Sequence, residues 1–145
     1  MTQIPICSPT FKVVVVDDYP NDYLFLGQLA RSAAIQLQFA VTGCDALRLA
    51  NECQISLWLI NTQLPDFSGF DLVEMLQPFP TGTSVCLIGA EYRLADELRA
   101  LNLGVTKYLV KPLSDDCLSS FRLSPTLSQH FSLTPEVRAP SERLR

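Results

Sequence analysis

The feature that most constrains the fold is an alternation of short apolar runs with segments of helical period. Four of these runs hold three to six residues each and are rich in β-branched and aromatic side chains. Such runs are too short for buried helices and are typical of strands covered on both faces. A fifth run alternates in part, as a strand near a sheet edge does. The predicted strands are Val13–Val16, Gln36–Val41, Ile55–Ile60, Val85–Ile88 and Tyr108–Val110.

Between the strands, apolar residues recur three and four positions apart, which is the period of an amphipathic helix. A last helix is predicted to begin at Ser114, a good N-cap, and to bury Phe121. The repeated strand–helix order predicts a doubly wound α/β domain, with a five-stranded parallel sheet and helices on both faces. The apolar helical positions are Phe25, Leu26, Leu29, Ala30 and Ala33; Ala46, Leu47, Ala50 and Cys53; Leu72, Val73 and Leu76; and Leu94, Leu98 and Leu101.

Composition narrows the class of protein. The chain has 145 residues, 48% hydrophobic and 18% charged, which indicates one globular domain. A net charge of −4 with scattered Lys and Arg argues against nucleic acid and leaves a protein as the expected partner. No run approaches the ~20 apolar residues of a membrane span, so a cytoplasmic protein is predicted. The five cysteines contain no C-x-x-C pair and predict small buried hydrophobes rather than disulfides or zinc ligands.

The chain divides into three predicted regions: an N-terminal extension over 1–10, a domain over 11–123 and a flexible tail over 124–145. The tail has three prolines and no clear period. A segment that folds on a partner is the alternative for it. The only histidine, His130, lies in this tail without a fixed acid, base or metal partner, so no catalytic role is expected.

Polar residues stand at the carboxyl ends of the predicted strands, where parallel sheets bind their ligands. The first strand ends at Asp17 and Asp18, the third at Asn61, the fourth at Gly89 and the fifth at Lys111. Adjacent carboxylates cannot both be buried without a cation, so they imply a lysine, a metal or open water nearby. These residues are expected to meet in one shallow crevice.

Residues 61–69 read Asn-Thr-Gln-Leu-Pro-Asp-Phe-Ser-Gly, and Lys111-Pro112 follows the fifth predicted strand. With Asp17 and Asp18, these residues make the chain resemble, from about residue 11 to residue 121, the receiver domains of two-component response regulators. Residues 61–69 match the family's D-x-x-[ML]-P-x-x-x-G segment except at the first position, and Lys111-Pro112 matches the family's signature lysine and proline. The resemblance implies a flavodoxin-like sheet with strand order 2-1-3-4-5. It also implies that Asp17 and Asp18 are the acidic pair that holds Mg²⁺, and that Tyr108 is the switch aromatic.

Two departures from the family pattern predict a degenerate site, and therefore a pseudo-receiver. Asn61 stands where the family has the aspartate that accepts the phosphoryl group, and an amide is too poor a nucleophile to replace it. Gly89 stands where the family has a Thr or Ser that hydrogen-bonds a phosphoryl oxygen. Phosphorylation by the family's route is therefore not expected.

Two arrangements of the altered pocket stay open. Asp17, Asp18 and Lys111 sum to −1, whereas an aspartate at position 61 would make −2, so the need for a divalent cation is reduced. One arrangement is weak Mg²⁺ binding by Asp17, Asp18, Asn61 and the Gln63 carbonyl. The other is a salt bridge from Lys111 to Asp17 or Asp18. No other cofactor is implied.

Three further residues receive sequence-based interpretations. The missing side chain at Gly89 predicts that Tyr108 lies inward without phosphate, although a plain strand aromatic is the alternative. Trp58 is predicted to be core. Asp66, in the turn after Pro65, is a poor candidate for a substitute phosphoacceptor because the loop would have to re-aim it.

The predicted function is a non-enzymatic interaction module that binds a histidine kinase, a phosphotransfer domain, another receiver or an output protein. The expected surface is the fourth helix, fifth strand and fifth helix, about 93–121, with Arg93, Arg99 and Lys107 as contacts and a homodimer left open. One alternative is a competitor that sequesters partners of active receivers. Another is a flavodoxin-like enzyme or phosphohydrolase, but no Gly-rich phosphate loop follows the first strand and the nucleophile is absent.

Overall fold

The computed structural model describes residues 11–32 and 35–113. Strands and helices alternate along these residues, and a short 3-10 helix follows the first strand. The predicted helix from Ser114, the terminal regions and Ala33 lie outside the described residues. The elements are β1 (Phe11–Val16), the 3-10 helix (Pro20–Tyr23), α1 (Leu24–Ser32), β2 (Ile35–Ala40), α2 (Gly43–Glu52), β3 (Leu57–Asn61), α3 (Gly69–Leu76), β4 (Ser84–Gly89), α4 (Leu94–Asn102) and β5 (Lys107–Val110).

The five strands form one parallel sheet in the order β2-β1-β3-β4-β5. This confirms the predicted flavodoxin-like topology. Side chains along a strand point alternately to the two faces of a sheet. In β1, Val14 and Val16 therefore belong to one buried cluster and Val13 and Val15 to the other. Both faces of the sheet are apolar, which leaves the strand ends as the place for polar chemistry.

Asp66 joins the loop after β3 to the start of α2. The Thr42 side chain caps this helix by accepting from the Asp45 amide at 3.0 Å. The amides of Gly43 and Cys44 donate to the two Asp66 carboxylate oxygens at 2.9 and 3.0 Å. The first N–H groups of a helix have no partner within the helix, and a carboxylate there also benefits from the helix dipole. The loop that follows Asn61 is thereby fastened to α2.

The orientation of α4 is not indicated by its sequence. Its leucines recur with the expected period, but Leu94, Leu98 and Leu101 are 59%, 52% and 51% exposed. Ala100 is fully buried in the core cluster instead. Since a helix turns by 100° per residue, seating Ala100 on the sheet places the three leucines on the opposite side. The spacing of the leucines therefore indicates a helix correctly, but it does not indicate which side of the helix is buried.

Other sequence interpretations are resolved by burial. Trp58 is buried in the core, as predicted. Of the cysteines in the described ranges, Cys86 is buried and Cys53 is partly buried, but Cys44 is exposed, so the prediction of buried thiols was wrong for Cys44. No helix within the described part of the chain is long and apolar enough to cross a membrane.

Candidate functional site

The carboxyl ends of β1, β3, β4 and β5 surround an open crevice of about 440 Å³. Asp18, Asn61, Gly89 and Tyr108 line this crevice, and Lys111 and Asp17 contact each other beside it. The strand ends that the sequence predicted to meet are therefore neighbours. The other lining residues are Thr62, Gln63, Leu64, Pro65, Ala90, Glu91, Arg93 and Asp96.

Asp17 is the one buried charged residue among those described, with 1% of its surface exposed. Its Oδ2 atom accepts hydrogen bonds from the Tyr23 hydroxyl at 2.8 Å and from the Lys111 ammonium at 2.9 Å. Its Oδ1 atom accepts from the backbone amide of Tyr19 at 3.1 Å. The Asn61 side chain lies close enough to lower the pKa of this carboxyl group. A buried carboxylate is tolerated when it is paired and hydrogen-bonded in this way.

Lys111 binds two carboxylates, and one of them was not predicted. Its ammonium lies 2.9 Å from Asp17 Oδ2 and 2.6 Å from Asp22 Oδ2. The sequence offered Asp17 or Asp18 as partners. Asp17 is confirmed, whereas Asp18 is exposed and makes no salt bridge within the described residues. Asp22 and Tyr23 were missed because they belong to the turn after β1 rather than to a strand end. Pro20, which starts that turn, was the available signal.

Asn61 makes one side-chain hydrogen bond and lies beside Asp17. Its oxygen accepts from the backbone amide of Gln63 at 3.0 Å, and its side chain lowers the pKa of Asp17. Gly69 lies directly against the main chain of Asn61, because a Cβ at position 69 would overlap the Asn61 carbonyl oxygen. The position of Asn61 is thus set by neighbours in sequence, by Asp17 and by close backbone packing.

Tyr108 occupies the space beside Gly89. A Cβ on Gly89 would overlap the Tyr108 hydroxyl. The ring is half-buried against the core cluster, and the hydroxyl makes a long hydrogen bond of 3.5 Å to the Glu91 carbonyl. Burial raises the pKa of the Tyr108 phenol, and the nearby Asp96 carboxylate raises that pKa further. In this structure Tyr108 therefore points inward, and the role of Tyr108 as a switch stays a prediction.

The described residues do not fit a magnesium site in this arrangement. Mg²⁺ needs oxygen ligands in near-ideal octahedral geometry, of which one or two are carboxylates and several are waters. Both Asp17 oxygens already accept hydrogen bonds, and the Asn61 oxygen accepts from Gln63. Asp18 is left as the one exposed carboxylate of the predicted ligand set, and the described residues contain no group of three His, Cys, Asp or Glu side chains that could hold a metal. With Asp22 included, three carboxylates and Lys111 sum to −2 rather than the predicted −1.

The Asp66 carboxylate is engaged in hydrogen bonds and is a poor candidate for accepting a phosphoryl group. Its carboxylate accepts from the start of α2, as described above. Desolvation raises the pKa of Asp66, but the backbone hydrogen bonds from Gly43 and Cys44 outweigh it and leave that pKa below its usual range. Asp66 thus has a structural role as an anion at a helix N-terminus.

The pKa values of Asp17 and Lys111 move apart. Burial raises the pKa of the Asp17 carboxyl, but the neighbouring side chains of Lys111, Asn61 and Tyr23 outweigh burial and place that pKa below 3.8. Partial burial lowers the pKa of Lys111, and hydrogen bonds to Asp22 and Asp17 raise it by more, to above 10.5. Both groups are therefore held in their charged forms over the neutral range.

We expect Asp17 to contribute to acid unfolding. Because the folded pKa of Asp17 is depressed, its stabilisation is fully present above the unfolded value of 3.8 and is lost as the pH falls through the folded value. Asp17→Asn should lower the free energy of unfolding at pH 7 by about 1–3 kcal/mol, since it removes a charged hydrogen-bond partner. Asp17→Asn should also make the free energy of unfolding less dependent on pH below pH 4, by at most about 1.4 kcal/mol per pH unit.

Urea unfolding over a pH series measures both effects. Asp18→Asn, which removes the adjacent exposed carboxylate, is the control for the loss of one negative charge. An Asp17→Asn variant with the stability and the acid dependence of the wild type would contradict the assignment of Asp17 as the paired buried carboxylate.

Similarity to known proteins agrees with this geometry. The family model of the response regulator receiver domain matches residues 13–121. The transcriptional regulatory protein PrrA of Mycobacterium tuberculosis is 30% identical over 107 residues, which are 74% of this chain and 45% of PrrA. The transcriptional regulatory protein CusR of Escherichia coli is 28% identical over 103 residues, 71% of this chain and 45% of CusR. The chain thus spans just under half the length of these regulators.

A solved structure supports the fold. The CheY-like response regulator receiver domain protein of Methanospirillum hungatei superposes with a TM-score of 0.69 at 20% sequence identity, covering 86% of this chain and 96% of that one. At this identity the likeness concerns the fold alone, whereas the family match rests on the sequence. The chain therefore belongs to the family of response regulator receiver domains of two-component signalling.

Proposed function

We propose that this receiver domain is a degenerate, phosphorylation-independent protein-interaction module. The observation that carries the proposal is the state of Asn61, whose side-chain oxygen accepts a hydrogen bond from the Gln63 backbone amide and whose amide lowers the pKa of the neighbouring Asp17. An amide nitrogen donates its lone pair to the carbonyl, and the oxygen is a weak nucleophile without a charge. Residue 61 therefore contributes a structural hydrogen bond and not a covalent step.

The contact between Tyr108 and Gly89 supports the same proposal. In an active receiver a Thr or Ser at the Gly89 position would contribute its hydroxyl to the phosphoryl group. Here the Tyr108 ring stands in the space such a side chain would need. A conformational equilibrium shifts only when a ligand binds its two states with different affinity. With neither the nucleophile nor the hydroxyl present, the domain stays near one conformation.

The outward leucines of α4 are the proposed contact surface, which we call the α4 leucine face and define as Leu94, Leu98 and Leu101. All three are more than half exposed and lie on one side of the helix. Clustered apolar residues on a surface mark sites of protein contact. The proposed partners are a histidine kinase, a phosphotransfer domain, another receiver or an output protein, and a homodimer through α4 and β5 is one form of this.

The names of two similar proteins are consistent with such partners. PrrA is a transcriptional regulatory protein, and the signal transduction histidine-protein kinase BarA of Escherichia coli is 26% identical over 144 residues, 94% of this chain and 16% of BarA. We further propose that the domain occupies about residues 11–123, acts in the cytoplasm and catalyses no reaction of its own.

Treatment with acetyl phosphate and Mg²⁺ tests the proposal directly. We expect intact mass spectrometry to find no acid-labile phosphate on the wild-type chain, because Asn61 offers no carboxylate. Asn61→Asp should remain poorly phosphorylated, because Gly89 still lacks a hydroxyl and Tyr108 fills its place. An active receiver treated in parallel is the positive control. Stable phosphate on the wild-type chain would refute phosphorylation independence.

The packing of Tyr108 on Gly89 predicts an energetic coupling. Gly89→Ala should lower the free energy of unfolding by about 1 kcal/mol, the low end for overpacking, since the new methyl group meets the free end of the Tyr108 side chain, which can shift. In a Tyr108→Ala background the same change should cost close to nothing, because the obstructing ring is gone. Urea unfolding of the four proteins measures the coupling. Effects that add to within about 0.5 kcal/mol would show that the two residues do not share this space.

A substitution in the α4 leucine face should weaken partner binding without unfolding the domain. Leu98→Glu places a charge at the centre of this face and should reduce affinity for the cognate histidine kinase, or self-association, by about tenfold or more. Leu24→Glu is the matched control, because Leu24 is 72% exposed but lies on α1. Calorimetry and sedimentation measure the two forms of binding. Equal affinities for the two variants would exclude α4 as the contact surface.

A further inference from the structure

Lys111 forms a salt bridge to one more carboxylate than the family resemblance implies. Its ammonium lies 2.6 Å from Asp22 Oδ2 as well as 2.9 Å from Asp17 Oδ2. We propose that the Asp22 carboxylate is a built-in anion for Lys111. Asp22 takes the place that an external anionic ligand would have beside this lysine, and it keeps the crevice assembled without phosphate or a divalent cation. The proposal rests on the proposed function, because it concerns a receiver whose residue 61 is not phosphorylated.

The turn after β1 places Asp22 in front of Lys111. The backbone amide of Tyr19 donates to Asp17 Oδ1 at 3.1 Å, and the amide of Asp22 donates to the Tyr19 carbonyl at 3.2 Å. Pro20, at the start of the 3-10 helix, has the fixed backbone angle that such a position favours. The hydrogen bond from Tyr19 to the buried carboxylate therefore helps to fold the turn that carries the second carboxylate, and backbone contacts position the partly exposed Asp22.

The surroundings of Lys111 favour an internal anion over an incidental surface contact. Exposed salt bridges contribute little because water competes for both charges. The Lys111 side chain, however, is only 20% exposed, and its nitrogen lies 5.8 Å from the centre of the Tyr23 ring. In addition to its contact with Lys111, Asp17 accepts hydrogen bonds from the Tyr23 hydroxyl and the Tyr19 backbone amide, and Asn61 lies close enough to lower its pKa. An ammonium has three N–H donors, and Asp22 satisfies one that Asp17 leaves free.

An external anion would meet two obstacles at this lysine. It would have to displace Asp22 from the ammonium, and it would face Asp17, Asp18 and Asp22 in a cluster whose formal charge with Lys111 is −2. Like charges in a partly buried crevice repel one another strongly. These three carboxylates, two of which bind Lys111, therefore disfavour a phosphoryl group, independently of the chemistry of residue 61.

Nuclear magnetic resonance of the lysine ammonium groups tests the proposal. The chain has three lysines, Lys12, Lys107 and Lys111, so a protein with isotope-labelled lysine gives few signals, and Lys12 and Lys107 are internal references. The variants are Asp22→Asn and its matched control Asp18→Asn, each of which removes one carboxylate from the crevice. Asp22→Glu, which keeps the charge, tests whether a carboxylate at this position is sufficient.

We expect the Lys111 ammonium of the wild type to exchange slowly with water and to be unaffected by added Mg²⁺ or inorganic phosphate. Asp22→Asn should accelerate this exchange by about tenfold or more, because a hydrogen bond between two charged groups is lost. Asp18→Asn should leave it unchanged, and Asp22→Glu should restore part of the protection. Signals of Lys12 and Lys107 should be the same in all four proteins.

Three results would overturn the proposal: equal exchange in Asp22→Asn and the wild type, equal effects of Asp22→Asn and Asp18→Asn, or a saturable change of the Lys111 signal with Mg²⁺ or phosphate. Thermal unfolding of each variant is measured as well, so that a variant that fails to fold is recognised. If Asp22→Asn does not fold, the comparison of Asp22→Glu with the wild type decides the outcome. The exchange measurement is separate from the test of phosphorylation. Covalent phosphate at residue 61 is detected by mass spectrometry, and it would contradict the proposed function but not the pairing of Asp22 with Lys111.

Discussion

The burial of the Asp17 carboxylate is the constraint on which the polar end of this domain depends. A charge removed from water costs several kcal/mol unless other groups replace the water around it. Here the replacements come from the turn after β1, from β3 and from the residue that follows β5, which are distant in sequence. Because Tyr19, Tyr23, Asn61 and Lys111 all converge on one side chain, the position of Asp17 sets the geometry of the crevice and of the turn that carries Asp22.

Asparagine at position 61 suits this network better than a second carboxylate would. Beside the buried Asp17, an aspartate would add repulsion between two negative charges, whereas a neutral amide adds none. The glycine at position 89 has a comparable consequence for packing, because it leaves room that the Tyr108 ring takes. Two departures from the family pattern are thus matched by two contacts of this chain, one electrostatic and one steric, and both favour a single arrangement of the crevice.

Much of the fold and of the site was predictable from local pattern. Apolar runs identified all five strands, and the strand ends identified Asp17, Asn61, Gly89 and Lys111 as neighbours, since parallel strands present their carboxyl ends at one edge. Asp22 was not found, because a carboxylate in a short turn gives no periodic signal and becomes a partner of Lys111 only when the turn folds back. The buried face of α4 was not indicated by the sequence either, since its leucines have the period of an amphipathic helix but face solvent.

By itself, the sequence determined the chemical identity of the crevice and the order of strands and helices. Those properties follow from residue type and from the spacing of apolar side chains, which act over a few neighbouring positions. Only the tertiary structure decided which carboxylate completes the pairing of Lys111, which side of α4 meets the sheet, and that Tyr108 occupies the space beside Gly89. Each of these depends on groups brought together from separate segments, where distances of a few ångströms decide between a hydrogen bond, a steric overlap and no contact.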